Sequence, residues 1–251
     1  MAQGWRSDAY RALLASSTED THLLAIDYRG FGYSTGFPTE QGLITDGIAA
    51  VYWALNVARV PEHKIVIVGH SLGTAVAAAV AEHFSHDAIE FGGVVLYAGF
   101  TSLPDLLSDY CLVGWLFPLR LYPRLLKYFT ESVLDKWPTA DRIGSLARVS
   151  KHIRLYIVHS LNDYEIRPHH SAKLRFAAVD AVRSRMGYFG FMATTIAETI
   201  LADPSDGAFT VFHDLLLEPN TLIIEYSMPY GCTCFVHSIC SVSANTPQII
   251  A

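Results

Sequence analysis

The chain has 251 residues, 51% of them hydrophobic, and carries a net charge of −6. That length and apolar content suit one domain with a sizeable core. The acidic balance offers no basic face to a polyphosphate backbone, which excludes nucleic acid as the expected partner.

Residues 7–17 place Tyr10, Leu13 and Leu14 at helical spacing, and His22–Asp27 follows as a short buried strand. No apolar h-region or cleavage site is legible in residues 1–10, and no later stretch is apolar enough to span a bilayer, so neither a signal peptide nor a transmembrane segment is expected. Tyr28–Gly36 is Gly-rich and turn-like, and Thr39–Ala58 returns to helical spacing with Leu43, Ile44, Ile48, Val51, Trp53 and Leu55. The next stretch is the most informative. A β-branched run, Ile65–Val68, enters Gly69-His70-Ser71-Leu72-Gly73, and an Ala-rich helical pattern, Thr74–Phe84, leaves it. G-x-S-x-G between a buried strand and a closely packed helix is the pattern of a nucleophile elbow. The glycines relieve crowding at a sharp turn, the serine hydroxyl stands above the sheet, and the following amide can stabilise an oxyanion. Ser71 is the candidate nucleophile, and the N–H of Leu72 is the candidate oxyanion donor.

Gly93–Phe100 and Arg154–Ser160 read as two further buried strands. Between them, Leu103–Leu146 is mostly helical by spacing and rich in large apolar side chains such as Trp115, Phe117, Tyr128 and Trp137. This insertion, about residues 102–147, reads as a helical cap, because ligands of parallel sheets sit beyond the carboxyl ends of strands; additional core is the alternative. His169–Val182 reads as a helix and Asn220–Tyr226 as a last strand, while Arg183–Asp214 shows no clear pattern. The alternation predicts a single α/β domain, a mostly parallel sheet flanked by helices. Residues 186–251 are atypical: all 18 Lys and Arg lie at or before Arg185, and no charged residue follows Glu225.

A serine hydroxyl needs a histidine to take its proton, and the imidazole needs a carboxylate to orient it. Asp163 follows the Arg154–Ser160 strand, where the acid of such a triad belongs. An Asn-Asp turn is the local alternative, and Glu165 is the substitute carboxylate.

Four stretches, Gly4–Arg11, Asp27–Ser34, Gly69–Gly73 and Asn162–Ser171, carry a wider likeness. On them the chain resembles α/β hydrolases of the group containing monoacylglycerol and lysophospholipid lipases, fungal members in particular, over about residues 4–182. The resemblance implies the α/β-hydrolase fold, a Ser-His-Asp attack on carboxylic esters of lipid-like substrates, no cofactor and no metal. It leaves membrane-surface association and oligomeric state open, and a peptidase with the same machinery is the nearest variant. It also places the histidine a few residues after the last strand, in a Gly-His pattern. Here Tyr230-Gly231 runs into Cys232-Thr233, so His237 ranks first as base and His213 second.

His70, His159, His169 and His170 are expected to be structural or surface residues. The His-Gly loop that gives such hydrolases a second oxyanion amide has no equivalent in this sequence. The chain therefore also reads as a catalytically impaired pseudo-hydrolase, truncated at its N-terminus and divergent at its C-terminus, acting at most as a binding module. Cys232, Cys234, His237 and Cys240 are zinc-compatible donors, but one cluster lacks the paired knuckles of structural zinc sites.

Overall fold

The computed structural model describes Tyr10, Arg11, Leu14, Ala15, residues 21–109, Tyr128, and residues 132–191, 195–201, 209–215, 222–228 and 248–250; beyond Arg185 it describes the backbone and the side chain of Ile223. The elements in chain order are β1 (Leu23–Leu24), α1 (Glu40–Asn56), a 3-10 turn (Glu62–Lys64), β2 (Ile65–His70), α2 (Leu72–His86), β3 (Gly93–Tyr97) and α3 (Leu103–Asp109). They continue with α4 (Thr139–Val149), β4 (Arg154–Ser160), α5 (His169–Phe191), β5 (Thr195–Leu201), β6 (Phe209–Leu215), β7 (Leu222–Met228) and β8 (Gln248–Ile250).

Among the described residues one eight-stranded sheet runs β1-β8-β2-β3-β4-β7-β6-β5. From β1 to β7 the neighbours are parallel, and β6 runs antiparallel to both β7 and β5. Parallel neighbours need a crossover, and α2 supplies the one between β2 and β3. Because such strands are covered on both faces they are continuously apolar: Ile65, Val66, Ile67, Val94, Val95, Leu96, Leu155 and Ile157 are all buried.

The helices pack in succession, α1 on α2, α2 on α4 and α4 on α5. Small residues set the spacing. Ala75, Ala78, Ala79 and Ala81 of α2 are buried, and a Cβ on Gly47 of α1 would come within 2.8 Å of Val80. Phe84, fully buried, meets Tyr52 and Phe91 edge-on at 4.9 and 5.5 Å. A side chain of that size contributes about 2–3 kcal/mol by burial. At the start of α1, Thr39 Oγ1 accepts from Gly42 N–H, which ends the preceding loop. Among the described residues no helix is long and apolar enough to cross a membrane.

The structure differs from the sequence reading in four places. The first strand is two residues long rather than six. The helix after β4 continues to Phe191, and the segment without a clear pattern holds the hairpin β5–β6. The last described strand is β8, not β7, and it lies between β1 and β2, pairing Leu23 with Ile249 and Val66 with Ile249. Three residues are too few to show a period. Of the expected cap, α3 is described, residues 110–127 and 129–131 lie outside the described residues, and α4 is a core helix with Ile143, Leu146 and Ala147 buried.

Candidate active site

β2 ends at His70 and α2 begins at Leu72, so Ser71 alone makes the turn, at φ 54° and ψ −120°. A side-chain-bearing residue at positive φ is strained, and neighbours on both sides hold it there. Ser71 N–H donates to the Tyr97 carbonyl on β3 at 2.9 Å, while the Ser71 carbonyl accepts from Thr74 N–H at 3.0 Å and from Thr74 Oγ1 at 2.6 Å. Gly69 is required by space, since a Cβ there would lie 2.4 Å from the Gly73 carbonyl oxygen. Gly73 departs from the expectation: among the described residues a Cβ on it meets nothing within 4 Å, so crowding does not demand a glycine. The Leu72 N–H is the first amide of α2, without an intrahelical acceptor and at the positive end of the helix dipole. That makes it available to a developing oxyanion.

Asp163 stands three residues beyond the end of β4, and its own N–H closes a turn onto the Ser160 carbonyl at 3.2 Å. Its Oδ1 accepts from Glu165 N–H at 3.0 Å and Ile166 N–H at 2.9 Å, the local turn that the dipeptide favours. Its Oδ2 faces His159 Nε2 at 3.6 Å, beyond hydrogen-bond range. Burial pushes this carboxyl up, but His159 and the two amides pull it further down, so it lies below the usual carboxylate range. Ser71 and Asp163 leave the same carboxyl edge of the sheet, separated by β3 and hence by two strand spacings, about 10 Å. Glu165 is exposed.

The histidines sort by position. His22, His63 and His152 precede strands, on the opposite edge, and His83 and His86 close α2, at least 11 residues or about 17 Å beyond Leu72. His213 lies on β6 opposite Ile224, which is level with Tyr156, and β6 is four places from β2. Register and strand order thus keep it from Ser71, which removes the second-ranked base.

At the carboxyl edge, His70 stacks on Tyr97 with ring centroids 5.1 Å apart. His159 is fully buried, donating from Nε2 to the Ile166 carbonyl at 2.7 Å and bonded through Nδ1 to Ser171 Oγ. Among the described residues no imidazole is hydrogen-bonded to Ser71 Oγ. His237 lies outside the described residues, as do Cys232, Cys234 and Cys240. Its tether is described: Met228, opposite Ser160, ends β7 at the carboxyl edge, three strand spacings from β2. Nine residues of chain reach about 30 Å, more than the roughly 14 Å needed.

A cluster that the sequence does not announce sits on the same edge. His169 Nε2 is 2.9 Å and His170 Nε2 3.9 Å from Asp109 Oδ2, and the two rings stack at 4.5 Å. Adjacent histidines at a helix start were legible; their meeting with an aspartate 60 residues earlier was not. A cavity of about 30 Å³ lies between α1, α2 and β2, lined by Ile26, Gly47, Val51, Ile67, Gly73 and Val76. It has room for about one water, not for an acyl chain.

A family model described as the α/β hydrolase fold matches residues 4–118. Protein ABHD12B of Homo sapiens is 31% identical over 189 residues, covering 72% of this chain and 48% of that protein. Lysophosphatidylserine lipase ABHD12 of Rattus norvegicus is 32% identical over 171 residues, covering 67% of this chain and 40% of its own length. The chain thus spans about half the length of the first of these relatives and 40% of the second. An alpha-beta hydrolase from Vibrio vulnificus superposes with a TM-score of 0.50 at 19% identity, covering 61% of this chain and 50% of its own, a likeness of fold alone.

Proposed function

Since the chain belongs to the α/β-hydrolase superfamily, we propose that it is a serine hydrolase cleaving carboxylic ester bonds of lipid-like substrates, of the monoacylglycerol or lysophospholipid type. The observation that carries the reading is Ser71 held at positive φ between β2 and α2, with the first amide of α2 beside it. Ser71 Oγ attacks the ester carbonyl as a histidine takes its proton, and the oxygen becomes an oxyanion facing Leu72 N–H. The imidazolium, stabilised by Asp163, protonates the leaving alcohol, and water then cleaves the acyl-enzyme by the same steps in reverse. In this reading His237 is the base, which is supported by its place after β7 in the sequence and by the described histidines lying far from Ser71 or being held by other partners. A lipid-like substrate is supported by the relative named lysophosphatidylserine lipase and by the apolar 102–147 segment that leaves this edge of the sheet.

A second reading, a hydrolase scaffold that binds without turnover, is supported by the sequence after β7, where Tyr230-Gly231 runs into Cys232-Thr233 instead of a Gly-His pattern. A fluorophosphonate probe separates the two, because it reacts only with an activated serine in a formed site. The expected result is labelling that vanishes in Ser71→Ala and slows by roughly 10³-fold or more in His237→Ala. Absence of labelling in folded protein assigns the second reading. Monoacylglycerol, lysophospholipid and anilide substrates then divide lipase from peptidase.

A further inference from the structure

The first two residues of α5 and the last residue of α3 bring two imidazoles and a carboxylate together. The ligand-capable atoms of Asp109, His169 and His170 all lie within 4.8 Å of one another. His170 is fully buried, yet its Nε2 has no hydrogen-bond partner. A buried polar atom left unpaired is destabilising, so a group that pairs it is favoured.

Proton bookkeeping shows what kind of group. Thr101 has one hydroxyl hydrogen, and it goes to Asp105 Oδ2 at 2.8 Å. The Thr101 oxygen therefore accepts from His170 Nδ1–H, at 3.0 Å. Thr101 N–H also points at Nδ1, from 3.4 Å, but this is the longer contact and the weaker claim on the tautomer. A ring with its proton on Nδ1 presents a lone pair at Nε2, and Nε2 faces the Asp109 carboxylate oxygen.

We propose that Asp109, His169 and His170 form a site for a divalent transition-metal ion, with zinc the best fit. Four ligands at about 2.0–2.1 Å in a tetrahedron are about 3.3 Å apart, and the contacts of 2.9 and 3.9 Å to Asp109 Oδ2 bracket that edge. Two imidazoles with one carboxylate select zinc and its transition-metal neighbours over calcium or magnesium, which prefer all-oxygen shells. His170 also has the support usual for a metal-bound imidazole, its far N–H held through Thr101 to the Asp105 carboxylate. Asp109 and His169 are partly exposed, at 32% and 41%, which gives an ion a route in and leaves a coordination position to water. The ion would join the end of α3 to the start of α5.

The test uses the full chain, stripped by chelator and titrated with Zn²⁺ against a chromophoric competitor, then with Co²⁺ for its spectrum. The expected result is one ion per chain, a higher melting temperature on loading, and a Co²⁺ spectrum without thiolate charge transfer. Asp109→Asn and His169→Gln, both at partly exposed positions, should each weaken binding at least tenfold and leave the melting temperature of the stripped protein near wild type. Absence of stoichiometric binding overturns the site. So does binding that survives the Asp109→Asn/His169→Gln double variant, or that disappears only when Cys232, Cys234 and Cys240 are replaced by serine.

Discussion

At the scale of single residues, Asp163 shows one carboxylate meeting two demands. Its Oδ1 is held by the amides of Glu165 and Ile166, which builds the loop, and that leaves Oδ2 for a partner. A carboxyl lowered on folding contributes stability that is complete above its unfolded range near pH 4 and is lost as pH falls through its folded value. Asp163→Asn keeps an amide-accepting oxygen but not the charge. It should be less stable than wild type by about 1 kcal/mol at pH 7, and the difference should shrink as pH falls below 4; urea melts at pH 3 and pH 7 measure it. The strand-end position of Asp163 was legible in the sequence because an apolar run stops shortly before it. The partners of His159 and His170 were not, since Ser171, Thr101 and Asp109 come from separate segments that only the folded chain brings together.

Among elements, the β2–α2 turn is the part that sequence reading recovers best, because both flanks and the turn carry independent signals. Even there the two glycines are unequal. Gly69→Ala drives a Cβ into the Gly73 backbone at 2.4 Å, which neither a rotamer nor a surface shift relieves. This variant should fail to fold or lose more than about 3 kcal/mol. Gly73→Ala places its methyl in open space within a helix, and should be neutral or stabilise by about 0.5–1 kcal/mol. Equal damage from the two substitutions in thermal melts would contradict this account of the turn. The hairpin β5–β6 and the strand β8 were illegible for a different reason. Their pairing partners, β7 for the hairpin and β1 and β2 for β8, determine their state, and no local period of their own competes with that.

For the whole molecule, β8 decides whether the sheet is continuous. Leu23–Leu24 and Ile65–Ile67 do not pair with each other; each pairs in parallel with Gln248–Ile250. Removing residues 248–251 should leave unpaired backbone on both sides of the gap, and exposed strand edges template association. Light scattering should show oligomers, and amide exchange should quicken at Ile65–Ile67; an unchanged, monodisperse sample would contradict the pairing. The order of synthesis gives the same arrangement another consequence. About 180 residues separate Ile67 from Gln248, so β8 is the last of the eight strands to leave the ribosome, although its neighbours are among the first. At 5–20 residues per second, the emerged portion waits roughly 10–40 s with that slot open. During this interval the nascent chain presents two bare strand edges, the substrate that a chaperone acting during translation recognises, and any ribosomal pause before residue 248 lengthens the exposure.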